Sequence, residues 1–169
     1  VRRTRSVFVL INLIFPGIAF NQVVVEQNKV IESSILERDV YFSALLPGDY
    51  NTSEKQYPVV YLLHGFGGNG NSWITRCRIN TLVDSLDNCN SIKDFIYIMP
   101  DAENSYYINN HDSSYMYEYF FINELIPFVD SIYRTKSARE ARAIAGLSMG
   151  GFGAVILSIK HPDVFGICI

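Results

Sequence analysis

Val59-Val60-Tyr61-Leu62-Leu63 is an almost continuous apolar run, opened by Tyr57-Pro58 and broken by the glycine-rich stretch His64 to Gly70. Runs of this kind suit a central strand buried on both faces. Asp94 to Met99, stopped by Pro100-Asp101, and Ala141 to Leu147 read the same way. Longer segments lie between and after them. Ser72 to Leu86 and Tyr115 to Tyr133 read as helices, and Pro127 should kink or restart the second. Gly151 to Ile159 reads as a third helix, closed by His161-Pro162 because the residue before proline avoids the helical region. Gly166 to Ile169 looks like the opening of one more strand. Strands alternating with helices imply a mostly parallel sheet with helices on both faces, an α/β architecture. Ahead of them, Gln22 to Val25 and Ser34 to Leu46 read as strands with no helix between. They predict an antiparallel N-terminal edge.

The 169 residues suffice for one domain with a real core. Apolar residues at 49% against 18% charged exclude a disordered chain. The net charge of −3 argues against a nucleic-acid partner. Tyr and Phe, 11 of each, suit an aromatic core, and equally a surface for aryl or carbohydrate groups. The first residues change the picture. Arg2, Arg3 and Arg5 precede an apolar run from Val7 to Phe15, and Gly17 and Ala19 form a small-x-small site. This pattern predicts a signal peptide over 1–19, export to the periplasm or beyond, and a catalytic-type domain over 20–169. The run is too short for a stable membrane span. Cys77, Cys89 and Cys168 are odd in number and lack metal-ligand spacing. They read as idle thiols rather than a metal site, with a Cys77–Cys89 disulfide left open. No metal and no cofactor is predicted.

The chemistry concentrates in Gly146-Leu147-Ser148-Met149-Gly150, a G-x-S-x-G turn between an apolar run and a helix-compatible run. At such a strand-to-helix corner a serine is pushed out with its hydroxyl exposed, so Ser148 is the candidate nucleophile. Its attack on an ester carbonyl creates an oxyanion that two backbone N–H groups must meet. Met149 supplies one, at a helix start where N–H groups are free. Phe66 is the candidate for the other, supported by His64, Gly65 and Gly67 in the glycine-rich loop. In parallel sheets sites form at the carboxyl ends of strands, so loops 64–70, 101–114 and 146–150 should converge. From the middle loop, Ser105, Tyr107 and His111 are candidates for the substrate rim.

Four segments carry a family resemblance: Tyr61 to Gly68, Pro100 to Asn109, Glu124 to Thr135, and Arg142 to Ala154. Together they resemble α/β-hydrolases of the esterase D, feruloyl esterase and tributyrin esterase type, over about residues 34 to 169. The resemblance implies the α/β-hydrolase fold and an exported carboxylic ester hydrolase working through an acyl-enzyme. It implies a small-molecule or polysaccharide-linked ester, acetyl or feruloyl esters of plant polysaccharides among them. An acyltransferase of the mycolyltransferase type and a non-catalytic carbohydrate-binding derivative are the alternatives. The family order is Ser, then Asp or Glu, then His. After Ser148 come only His161 and Asp163, in reverse order and about 15 Å along a helix. They read as structural, so the triad acid and base are absent from this chain. The expectation is a partial domain whose C-terminal strands and helices are missing.

Overall fold

The computed structural model describes residues 22–89 and 91–169. The predicted signal peptide over 1–19 lies outside the described residues. A mixed sheet organises the chain, with strand order β1-β2-β4-β3-β5-β6. The strands are β1 Val24–Ser33, β2 Arg38–Leu46, β3 Val59–Leu63, β4 Ile96–Pro100, β5 Arg142–Gly146 and β6 Ile167–Cys168. β3 lies at the centre, parallel to β4 and β5, and β6 continues parallel to β5. β1 and β2 form the antiparallel edge, with β2 docked antiparallel on β4.

Every residue of β3 is buried, as its unbroken apolar run requires. Alternation divides them between the two faces. Val59, Tyr61 and Leu63 join Phe42, Ile98, Phe121, Ile144 and Leu157 in the larger core. Val60 and Leu62 join Leu45, Met99 and Val83 in the smaller one, against Trp73 and Ile79. Helices α1 Ser72–Thr75 and α2 Ile79–Asn88 therefore cover one face. α3 Tyr117–Phe120, α4 Ile126–Ile132 and α5 Met149–Lys160 cover the other.

Three element boundaries differ from the sequence reading. β1 extends through polar residues to Ser33, and the turn falls at 34–37 rather than before Ser34. The register shift between Glu26 and Lys29 breaks the alternation, and this edge strand places the polar Glu26 and Lys29 on its half-buried face while Val25 and Val30 stand exposed. The helix expected over 72–86 is two helices, broken at Arg78 in the left-handed conformation (φ 52°). The helix expected over 115–133 does restart at Pro127 as expected, but through an irregular turn that the sequence did not announce. A π-helical segment, Phe121–Leu125, links α3 to α4, and Pro127 falls in the first turn of α4. The wider turn accommodates the missing proline N–H and turns neighbouring residues to the same face. Phe120 with Phe121, and Leu125 with Ile126, are thus all buried.

Two ionic clusters fasten the helices, one to the sheet and one to each other. Arg142, at the start of β5, donates to Asp130 in α4 at 2.8 Å. Glu118 in α3 accepts from Lys160 Nζ at 2.5 Å and meets His161 Nε2 at 3.0 Å, at the far end of α5. His161 closes that helix, on the order of 20 Å along from Ser148. Asp163 is exposed in the turn beyond.

Candidate active site

β5 ends at Gly146 and α5 begins at Met149, so the chain reverses within two residues. The reversal needs glycine at two places. A Cβ on Gly146 would collide with the backbone of Gly150, and a Cβ on Gly150 with the carbonyl groups of Leu63 and His64. With both corners pressed against backbone, Ser148 takes the remaining bend at φ 55° and ψ −116°. A non-glycine residue there is strained, and such strain persists only where its surroundings over-determine it. Ser148 stands at the N-cap position of α5, yet its hydroxyl does not cap the helix. The residue is exposed.

The loop after β3 closes on this turn. Leu147 N–H donates to the Leu63 carbonyl at 3.2 Å, joining the two strand ends. A side chain at Gly65 would stand 3.3 Å from the Leu147 carbonyl oxygen and 3.6 Å from Ser148 Cβ. Among the described residues, neither Phe66 N–H nor Met149 N–H donates a hydrogen bond. Phe66 is 63% exposed, and Met149 is buried under the helix start. Gly67 holds a positive φ of 69°, and its N–H donates to Asn104 Oδ1 at 2.9 Å.

His64 is buried and both its ring nitrogens are engaged. Nε2 accepts from Ala102 N–H at 3.0 Å, which leaves the proton on Nδ1, 2.8 Å from the Gly65 carbonyl. Its carbonyl accepts from Tyr107 Oη at 2.9 Å. One histidine thus fastens the loop after β3 to the loop after β4. Asp101 Oδ1 lies 3.7 Å from Nε2, too far for a hydrogen bond. Burial raises the Asp101 carboxyl, but the Glu103 N–H it accepts at 3.1 Å and the charge of Arg38 draw its pKa below the usual range.

An open cleft of about 230 Å³ runs past Ser148 between these loops. Its walls include Gly65, Phe66, Leu147 and, from α1 and the turn after it, Trp73, Arg76 and Cys77. The α1 residues escaped the sequence reading, because nothing local marks a helix wall as part of a cleft. Trp73 Nε1 is buried without an acceptor among the described residues. All three cysteines are exposed and free. The residues expected at the rim fall elsewhere. Tyr107 is fully buried, its ring against Gly153. Its neighbour Tyr106 is 45% exposed instead, in a row with Phe66 at 6.2 Å and Phe152 at 5.9 Å between ring centres. The reason is the turn at Ser105, whose hydroxyl accepts Tyr107 N–H at 3.1 Å. Ser105 and His111 do not line the cleft, and His111 is exposed on the outer part of its loop.

A parallel sheet, a strained serine at a strand-to-helix corner and a glycine loop leaving the adjacent strand define an α/β-hydrolase. The chain belongs to the Putative esterase family, whose profile matches residues 33–169. An esterase of Mycobacterium tuberculosis is 36% identical over 127 residues, which are 73% of this chain and 26% of that protein. An endo-1,4-beta-xylanase/feruloyl esterase of Xylanibacter ruminicola is 34% identical over 116 residues, covering 67% of this chain and 16% of that one. Among solved structures, a ferulic acid esterase superposes with a TM-score of 0.78 at 32% identity, over 85% of this chain and 56% of its own. The chain therefore spans about half the length of that structure and a smaller share of these two relatives.

Proposed function

We propose that this chain carries the nucleophile and the oxyanion site of an exported serine carboxylesterase. The strained, exposed Ser148 beside two undonated N–H groups carries this reading. Ser148 Oγ attacks the ester carbonyl carbon and gives its proton to a general base. The carbonyl oxygen becomes an oxyanion held by Phe66 N–H and Met149 N–H. Collapse expels the alcohol, which takes the proton, and water then hydrolyses the acyl-enzyme. No histidine among the described residues is placed as that base. His64 has both nitrogens engaged, His111 is exposed and does not line the cleft, and His161 lies at the other end of α5. The base and its acid partner are therefore proposed to come from a polypeptide segment outside residues 1–169, a reading supported by the greater length of the relatives. Acetyl and feruloyl esters of polysaccharides are the proposed substrates, supported by the feruloyl esterase and acetyl esterase names among the relatives. Export rests on the basic and apolar pattern of residues 1–19.

The test is hydrolysis of p-nitrophenyl acetate and methyl ferulate by the full-length protein. Ser148→Ala should lower kcat by roughly 10³- to 10⁶-fold. Turnover unchanged in that variant would remove Ser148 from the mechanism.

A further inference from the structure

A second cavity, of about 220 Å³, lies across the glycine-rich loop from the Ser148 cleft. Gly68 and Ser72 face the cleft, and Asn69 to Asn71 face the second cavity. Four separate segments build its walls: Asn28 from β1, Tyr41 and Ser43 from β2, Asn69 and Asn71 from the loop, and Asp101 after β4. Asn28 sits where the β1–β2 register shifts, between Glu26 and Lys29, and its φ is 54°. Bulges re-aim side chains, and asparagine is among the residues that best tolerate the left-handed region.

The carboxamides are held in fixed orientations. Asn71 Oδ1 accepts from Gln27 Nε2 at 3.0 Å and from Ser43 Oγ at 2.6 Å. Asn71 Nδ2 donates to Asn28 Oδ1 at 2.8 Å. Asn69 Oδ1 accepts from Asn71 N–H at 2.9 Å. The amide oxygens are thus used inside the network. Counting what each side chain can offer leaves the Nδ2 groups of Asn28 and Asn69 as donors, one Asp101 oxygen as acceptor, and the Tyr41 hydroxyl. The Tyr41 ring is 47% exposed.

This set selects a ligand class. A metal cation needs several oxygen ligands, and among the described residues Asp101 is the one carboxylate in the lining, with each amide oxygen already accepting at least one hydrogen bond. An anion would meet the Asp101 carboxylate. A neutral polyol ring fits both demands. Its hydroxyl oxygens accept from the two amides, one hydroxyl donates to Asp101, and its C–H face packs on the tyrosine ring. The cavity is smaller than the ~300–1,000 Å³ of drug-sized pockets, which limits it to a single ring.

We infer that this cavity is a subsite for one neutral sugar ring of a saccharide chain. That the same chain presents its ester at Ser148 rests on the esterase reading; the binding itself does not. The probes are xylohexaose and cellohexaose, titrated into the protein while the side-chain amide resonances of Asn28 and Asn69 are followed by NMR. Both resonances should move with at least one of the two saccharides. Asn28→Gly, which suits the positive φ, and Tyr41→Ala should each weaken binding roughly tenfold. Ser148→Ala should bind as the wild type does, and Asn28→Gly should hydrolyse p-nitrophenyl acetate normally. Silence of both resonances with both saccharides, full affinity in both cavity variants, or displacement of the same peaks by calcium overturns the subsite. A failure of the Ser148→Ala turnover test would sink the esterase reading alone, so the two readings fail separately.

Discussion

Replacing Glu118 by glutamine should unfasten the far end of α5, the helix that starts at Ser148. The Glu118 side chain is 8% exposed and meets Lys160 Nζ at 2.5 Å and His161 Nε2 at 3.0 Å. Removing one member of a buried ion pair costs ~3–5 kcal/mol when its partner stays buried. Lys160 is 52% exposed and can turn to water, and glutamine keeps the volume and one acceptor. The discounted cost is about 1.5–2.5 kcal/mol. With a urea dependence of ~1–3 kcal/mol per molar, the unfolding midpoint should fall by about 1 M. Burial raises the Glu118 carboxyl, but the hydrogen bonds and charges of Lys160 and His161 outweigh it and hold its pKa below the usual 4.5. A depressed folded value means the stabilisation is complete above pH 4.5 and is lost as pH falls through the folded value. Urea titrations of both proteins at pH 7 and at successively lower pH measure the gap. It should be full at pH 7 and close as the medium is acidified below the usual glutamate value. A gap that stays constant with pH, or one below about 0.5 kcal/mol at pH 7, would refute the reasoning.

Gly150→Ala should cost ~3 kcal/mol or more, because its methyl group meets the Leu63 and His64 carbonyls; thermal unfolding would register it. Tyr107→Phe should cost about 1–2 kcal/mol by leaving the His64 carbonyl without its buried donor, and a protein of wild-type stability would count against that bond. Ser148→Gly should be about 1 kcal/mol more stable than Ser148→Ala, since only glycine accepts φ 55° without strain; equal melting temperatures would remove the claim of strain.

Legibility in the sequence followed burial. β3, β4 and β5 were readable because strands covered on both faces must be apolar throughout. β1 was not, since its register shift breaks the alternation and leaves Glu26 and Lys29 on the half-buried face and Val25 and Val30 on the exposed one. The Ser148 corner was readable because Gly146 and Gly150 are fixed by collisions that any other residue would cause, and those collisions leave a spacing in the sequence. The side walls of the cleft leave no such spacing. Trp73 and Arg76 reach it through the packing of α1 on the sheet. Tyr106 and Tyr107 are alike as residues, and the turn at Ser105 alone decides which ring is buried and which stands beside Phe66. The π-helical turn was hidden for a related reason. Pro127 announces a break in hydrogen bonding but not whether the chain stops or widens.

The groups aligned at Ser148 all belong to one packing unit, β3 with β5 and α5. Leu63 ends β3 and accepts from Leu147 N–H. Its carbonyl also blocks any side chain at Gly150, which forces the bend onto Ser148. Phe66 N–H hangs from the loop that His64 pins to Ala102, and Met149 N–H from the first turn of α5. The proposed nucleophile and its two proposed oxyanion donors are thus set by backbone contacts made when three neighbouring elements pack. A general base needs no such backbone placement, because a side chain can deliver it from any segment that reaches the cleft. Nucleophile and oxyanion donors can therefore be built within one packing unit while the proton acceptor comes from elsewhere. It follows that a mutation loosening the β3–β5–α5 unit, such as Gly150→Ala, should damage attack and oxyanion binding together. One confined to the base should slow attack and leave the oxyanion site able to hold a transition-state mimic.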